Sequence, residues 1–225
     1  MAAALRHLPC TLLLCLPLLA RAAPPDYQGR VDFHVHLQSV TSDWRYDNDV
    51  RRTRISRAGF GWLESLGDSL AGGLLLGYID LAQGDNPLDT ATYSDGYYGG
   101  LQLQGRLLEN DHLQLRLDLS LLYNDTQNIV GEQRVNNVWT QTEARLQARI
   151  ALGQRLGLRL DLNQYRIRGE QRDSGPQTGI NNFRNHDGTG YAAGLDLVVD
   201  RSASIGFDWS GGNREGGRIY FRRRF

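Results

Sequence analysis

The stretch HLQLRLDLSLLY, His112 to Tyr123, carries leucine at every second position, with Gln, Arg, Asp and Ser between. Successive side chains of a strand point to opposite faces. Leu113, Leu115, Leu117, Leu119 and Leu121 therefore share one face, while Gln114, Arg116, Asp118 and Ser120 share the other. A soluble sandwich would turn those leucines toward a core, whereas a sheet closed in a bilayer would turn them out to hydrocarbon and the charges in. The choice rests on whether the rest of the chain repeats the pattern and on how it joins the repeats.

The pattern does recur. VDFHVHLQ opposes Val31, Phe33, Val35 and Leu37 to Asp32, His34, His36 and Gln38; LQLQGRL opposes Leu101, Leu103 and Leu107 to Gln102, Gln104 and Arg106. TQTEARLQARIAL sets Thr142, Ala144, Leu146, Ala148 and Ile150 against Gln141, Glu143, Arg145, Gln147 and Arg149, and RLGLRLDLN sets four leucines against Gly157, Arg159, Asp161 and Asn163. With the glycine-interrupted segments 51–63 and 70–81, and with 191–199, 203–209 and 217–225, this predicts about ten strands of about 9 to 11 residues, the length a membrane strand needs. Eight is the alternative count, if the glycine-interrupted pair folds otherwise. The connections alternate in length: ESLGD, END, GQ and DRS are short, while SVTSDWRYDND, AQGDNPLDTATYS, NDTQNIVGEQRVNN and the run from Gly169 to Gly188 are long. A soluble sandwich has no reason to sort its loops in this way.

Tyr and Trp concentrate at bilayer interfaces. Tyr78, Tyr97, Tyr98, Tyr123, Trp139, Tyr165, Tyr191 and Trp209 all fall at strand ends next to the long connections, as one predicted girdle, with Trp62 and Phe225 at the opposite ends. The chain closes on GGRIYFRRRF, where Ile219, Phe221 and Phe225 alternate. This ending resembles the C-terminal signal that the barrel-assembly machinery of Gram-negative bacteria reads, although Arg223 stands where that pattern is usually apolar. From about Ala23 onward the chain resembles small bacterial outer-membrane β-barrels as a class. The resemblance implies an all-β, single closed antiparallel barrel with leucines toward lipid, and contact with outer-membrane lipid and lipopolysaccharide.

Residues 1–22 read as a cleaved signal peptide: a short basic start at Arg6, an apolar run from Leu8 to Leu19, and small residues at Ala20 and Ala22. Residues 23–225 are then one barrel domain. Both cysteines, Cys10 and Cys15, lie in the leader, so the remaining chain has neither a disulfide framework nor a cysteine nucleophile. Basic and acidic residues balance at 25 each, which argues against nucleic acid as a partner. Every basic residue is arginine, the side chain that forks best onto carboxylates and phosphates.

The same phasing sends Arg106, Arg116, Arg145, Arg149, Arg159, Arg218 and Arg222 inward, together with Asp32, Asp118, Glu143, Asp161, Asp196 and Asp208. Nearly cancelling charges in a narrow barrel predict a salt-bridged, plugged lumen; turn lengths suggest Arg145 near Asp161 and Asp208 opposite Arg218. Asp32, His34 and His36 form a weak candidate for a metal or polar site, since no further ligand can be placed. Arg45, Arg51, Arg52, Arg54 and Arg57 near the first loop are candidates for lipid A phosphates. The expected role is structural or a surface contact through an unidentified ligand, without a cofactor. A narrow channel for small polar solutes is the alternative, and a rim enzyme of the omptin or lipid A modifying type is a weaker one, because His186 and Asp187 are sequence neighbours and do not make a dyad.

Overall fold

The computed structural model describes residues 31–47, 49–84, 86, 92–110, 112–200 and 202–225; the leader segment lies outside them. Its strands are β1 (Val31–Tyr46), β2 (Val50–Ser65), β3 (Leu70–Gln83), β4 (Tyr93–Glu109), β5 (Leu113–Val130), β6 (Gln133–Ala151), β7 (Leu156–Ser174), β8 (Gly179–Asn185), β9 (Thr189–Val198), β10 (Ala203–Gly212) and β11 (Glu215–Arg224). Each pairs antiparallel with its neighbours.

The strand order β11-β10-β9-β7-β6-β5-β4-β3-β2-β1 closes on itself through β1–β11, which makes a ring of ten strands. The seam runs from Asp32 opposite Arg224 to Thr41 opposite Glu215. Val31 and Phe225 finish it by exchanging backbone hydrogen bonds of 3.1 and 2.9 Å. The alternating leucines from Leu113 to Leu121 face outward, with Leu119 and Leu121 more than 40% exposed, while Gln114, Arg116, Leu122 and Asn124 are buried inside. An apolar outside around a polar and charged inside is the arrangement of a transmembrane barrel rather than a sandwich.

The strands are much longer than a bilayer requires. β6 has 19 residues, about 60 Å at the usual rise and roughly 45 Å in height at a ~40° tilt, against an apolar band of ~25 Å. The surplus comes from segments that read as loops. Between β5 and β6 only Gly131 and Glu132 remain, with Gly131 at φ 61°, a left-handed turn position suited to glycine. The flanking polar residues alternate as strand residues do: Asn124, Thr126, Gln133, Val135 and Asn137 are all buried.

Beyond the ends of β10 and β11 the ring narrows. β8 and β9 are two pieces of one wall strand on β7, broken at 186–188. Asn185 mends the interrupted ladder: its Oδ1 accepts the Ile167 amide at 2.8 Å and its Nδ2 donates to the Tyr165 carbonyl at 3.3 Å. Above the break β8 leaves β10 behind and pairs directly with β1, Trp44 to Asn185 through Tyr46 to Phe183. Ten strands surround the lower lumen and eight the upper one. The glycine-interrupted pair, β2 and β3, are ordinary wall strands, so the smaller count arises at a different place than the sequence suggested.

Glycines on the inner face make room for large neighbours. A Cβ at Gly61 would overlap the His34 ring, and one at Gly206 the Tyr220 ring, while at Gly105 it would meet only ordinary contacts. Gly206→Ala is therefore expected to destabilise the folded barrel by about 1 to 3 kcal/mol, the usual cost of overpacking, with Gly105→Ala close to neutral. The urea midpoint of heat-modifiable protein in detergent checks this; equal midpoints would show that the interior has slack.

Candidate functional site

Among the described residues the lumen gathers chemistry-bearing groups from most of the strands, and they fill it in layers. Near the chain ends, Asp32 sits between Arg222 and Arg224 at 3.4 Å each, and Gln104 donates to Asp118 at 2.6 Å. Above this, Arg159 lies among Asp161 and Asp196, both at 3.7 Å, and Asp208, with its guanidinium 4.6 Å from the Tyr220 ring centre. Arg149 also binds Asp196 at 2.9 Å, and Arg218 binds Asp208 at 2.6 Å.

The middle layer centres on Glu143. Its carboxylate accepts from Arg145 at 2.5 Å and from Arg214 at 2.8 Å. Gln141 donates to the same carboxylate at 3.3 Å, and Arg57 donates to Gln141 and Asn124 at 2.9 Å each. Buried charges are tolerated when they are paired and hydrogen-bonded on this scale, and arginine's planar fork serves several acceptors at once. A cavity of about 80 Å³ remains beside this layer, lined by His34, His36, Tyr98, Asp118 and Arg145 among others. It has room for a handful of waters.

The next layer is apolar, and buried polar residues lie beyond it toward the hairpin ends, among them Asn137, Gln133 and Gln171, which accepts from Arg51 at 3.1 Å. Trp44 stacks on Phe183 at 4.8 Å and meets Trp139 edge-on at 5.4 Å, and Tyr46 lies 5.1 Å from Phe183. Ile55, Ile79, Leu81, Leu122 and Ile167 complete a cluster drawn from β1 to β8. Trp44 and Trp139 are at most 1% exposed. Trp44 still satisfies its indole N–H, which donates to Ser42 at 3.1 Å.

Arg106, Arg116, Asp118, Glu143, Arg145, Arg149, Arg159, Asp161, Asp196, Asp208 and Arg218 all belong to the inward-facing set. Arg145 lies one pair diagonal to Asp161, as expected, but its ion pair differs. Register sets Arg145 opposite Asn163, one pair from Asp161, and its ion pair is with Glu143 on its own strand. Asp208 does stand opposite Arg218.

The girdle needs a correction. Tyr78, Tyr97, Tyr123, Tyr191 and Trp209 are 40 to 74% exposed on the outer wall, but Trp139 points inward and is buried, as are Tyr98 and Tyr165. Trp139 shares inward parity with Gln141 and Glu143, and the strand runs on past it through 133–137, where a loop was expected. Near the chain ends Phe33 contacts Phe60, Trp62 and Phe225 at 5.5 to 6.1 Å as the opposite aromatic band. Ile219 and Phe221 also face outward.

The three-ligand reading of Asp32, His34 and His36 fails on geometry. Arginines hold Asp32, the two imidazoles stack at 5.8 Å, and His36 Nε2 shares a 3.0 Å hydrogen bond with the Tyr98 hydroxyl. The proposed rim cluster divides as well: Arg51 and Arg57 are buried inside, leaving Arg45, Arg52 and Arg54 outside. Arg51, Arg57 and Arg214 are lumen arginines that the sequence reading missed. Glycines at 59 and 61 blur the phase of β2, and Arg214 sits in the β10–β11 turn, which carries no alternation. His186 and Asp187 spend their polar atoms on Arg45 and on the Thr189 amide, at 2.8 and 3.1 Å.

Glu143→Gln would leave Arg145 and Arg214 without their shared carboxylate. A loss of stability on the order of 3 kcal/mol is expected. Breaking the exposed Arg52–Glu215 pair with Arg52→Ala should change stability by less than about 1 kcal/mol. Denaturant titration of both variants tests this, and equal effects would mean that the lumen charges are hydrated.

No known protein family matches the sequence, and no curated protein matches it. Solved structures share its shape distantly. The COG4313 outer membrane channel from Pseudomonas putida F1 is 14% identical, covering 91% of this chain and 100% of its own, at a TM-score of 0.47. The translocator domain of the autotransporter NalP from Neisseria meningitidis is 14% identical, with 93% of each chain covered and a TM-score of 0.47. The outer membrane protease OmpT from Escherichia coli is 11% identical, with 91% and 96% covered and a TM-score of 0.45. Likeness this remote says nothing of activity. What this chain shares with them is a closed antiparallel barrel, a fold already established by its own strand ring.

Proposed function

We propose that the protein is a plugged barrel of the bacterial outer membrane, exported by a cleaved leader, whose role is structural or a surface contact and not solute passage. The observation that carries this is the apolar layer: Trp44, Trp139 and Phe183 pack across the narrowed upper lumen, above an interior already occupied by ion pairs. A conducting pore needs a continuous wet path, and an apolar constriction this tightly packed excludes water. The chain ends lie on the periplasmic side, where the barrel-assembly machinery would meet Phe225, and the long hairpins rise from the opposite face as a rigid platform. Such a platform suits contact with lipopolysaccharide or another surface ligand.

Planar-bilayer recording of the purified, folded protein is the direct test. The expected result is an insulating bilayer at all applied voltages. Steady, ion-selective conductance steps that scale with protein would overturn the plugged reading in favour of the narrow channel.

A further inference from the structure

On the outer wall, above the leucine belt, lies a row of like charges that the fold does not explain. Register sets Arg168 of β7 directly opposite Arg184 of β8, and Arg184 directly opposite Arg45 of β1. All three are exposed and face outward, and Arg166 lies two residues below Arg168 on the same face. Like charges at directly opposed positions of an antiparallel pair are destabilising. Elsewhere on the surface such arginines have partners, Arg172 with Glu170 and Arg52 with Glu215. Among the described residues no carboxylate forms an ion pair with Arg45, Arg166, Arg168 or Arg184, although Arg45 shares a 2.8 Å hydrogen bond with His186 Nδ1 and Asp187 also lines the groove below.

These four arginines ring the upper part of an open groove of about 760 Å³. Its lower end is apolar: Leu119 and Ala144 pair across β5 and β6, and Ala144 pairs with Gln164 on β7. The short side chains of Ala144 and Thr142 leave the depression. Up β7 the outward residues change from Leu160 and Leu162 through Gln164 to Arg166 and Arg168. Girdle residues place this change at the interface. Tyr191 is opposite Leu162, and Tyr123 is opposite Thr140, which is opposite Arg168.

We infer that this groove binds a phosphorylated lipid of the outer leaflet, a bisphosphorylated glycolipid of the lipid A type. An acyl chain lies along Leu119 and Ala144, and the two phosphates sit on the four guanidiniums. A phosphate monoester carries about −1.5 to −2 charge at neutral pH, so two of them match four arginines, and the guanidinium fork fits phosphate oxygens bidentately. The like-charged row is then a binding feature held at some cost to the free fold. The inference rests on the membrane reading above.

The test uses folded full-length protein in zwitterionic detergent, with bisphosphoryl lipid A, its fully dephosphorylated form and inorganic phosphate as probes. Bisphosphoryl lipid A should bind saturably, the dephosphorylated lipid should not, and equimolar inorganic phosphate should fail to displace it. Arg168→Glu with Arg184→Glu should weaken binding roughly tenfold or more, while Arg134→Glu, exposed on β6 outside the groove, should leave it unchanged. Unaltered binding in the double variant, equal binding of the two lipids, or displacement by inorganic phosphate would each overturn the inference. Heat-modifiable migration and vesicle insertion are followed on the same samples. Insertion without lipid binding sinks this inference alone, and failure to insert sinks the membrane reading with it.

Discussion

In hydrocarbon no backbone N–H or C=O has water to fall back on, and that constraint organises everything else in this molecule. A sheet meets it only by closing, and here closure is carried to the last residue, where Val31 and Phe225 exchange backbone hydrogen bonds. Closure removes both edges that an open sheet would expose. It also divides the side chains into two sets by parity alone, one meeting lipid and one meeting the inside. Where the chain interrupts a strand, at 186–188, the Asn185 side chain takes up the orphaned β7 groups.

Ten strands enclose little more space than side chains can fill, so the inside has to be packed as a protein core is packed. It is built largely from polar residues. Arginines span it, Arg57 and Arg159 each reaching more than one acceptor, and glycines stand opposite the bulky rings. Polar residues there cost little only while every partner remains, which makes the interior rigid and intolerant of single changes. The apolar cluster sits where eight strands replace ten and the enclosed space shrinks, so a few aromatic side chains suffice to fill it.

Much of this was legible in the chain because period-2 alternation survives wherever the lipid face is uniformly apolar. Leu113 to Leu121 set the phase of β5, and the charges of β6, β7, β10 and β11 followed from the same rule. Legibility failed where that contrast fades. Segments 124–130 and 133–137 are rich in Asn, Thr and Gln, so they read as loop, and Trp139 beside them was assigned to a girdle it does not join. Arg57 was obscured by its glycine-rich strand. The ion pair between Arg145 and Glu143 depends on rotamers along one strand, which cross-strand register does not specify. Contacts across the barrel, such as Arg214 to Glu143, leave no local trace in sequence.

The central claim is that lipid and a filled interior lie on opposite sides of each strand. Single spin labels at positions 113 to 121 of β5 in lipid bilayers, read for collision with oxygen and with a water-soluble nickel chelate, test it most directly. Labels at 115, 117, 119 and 121 should be open to oxygen and shielded from nickel, and those at 116, 118 and 120 shielded from both. Nickel access at the even positions would mean an open aqueous lumen, and shielding of the odd positions from oxygen would mean that the leucines face a core instead of lipid.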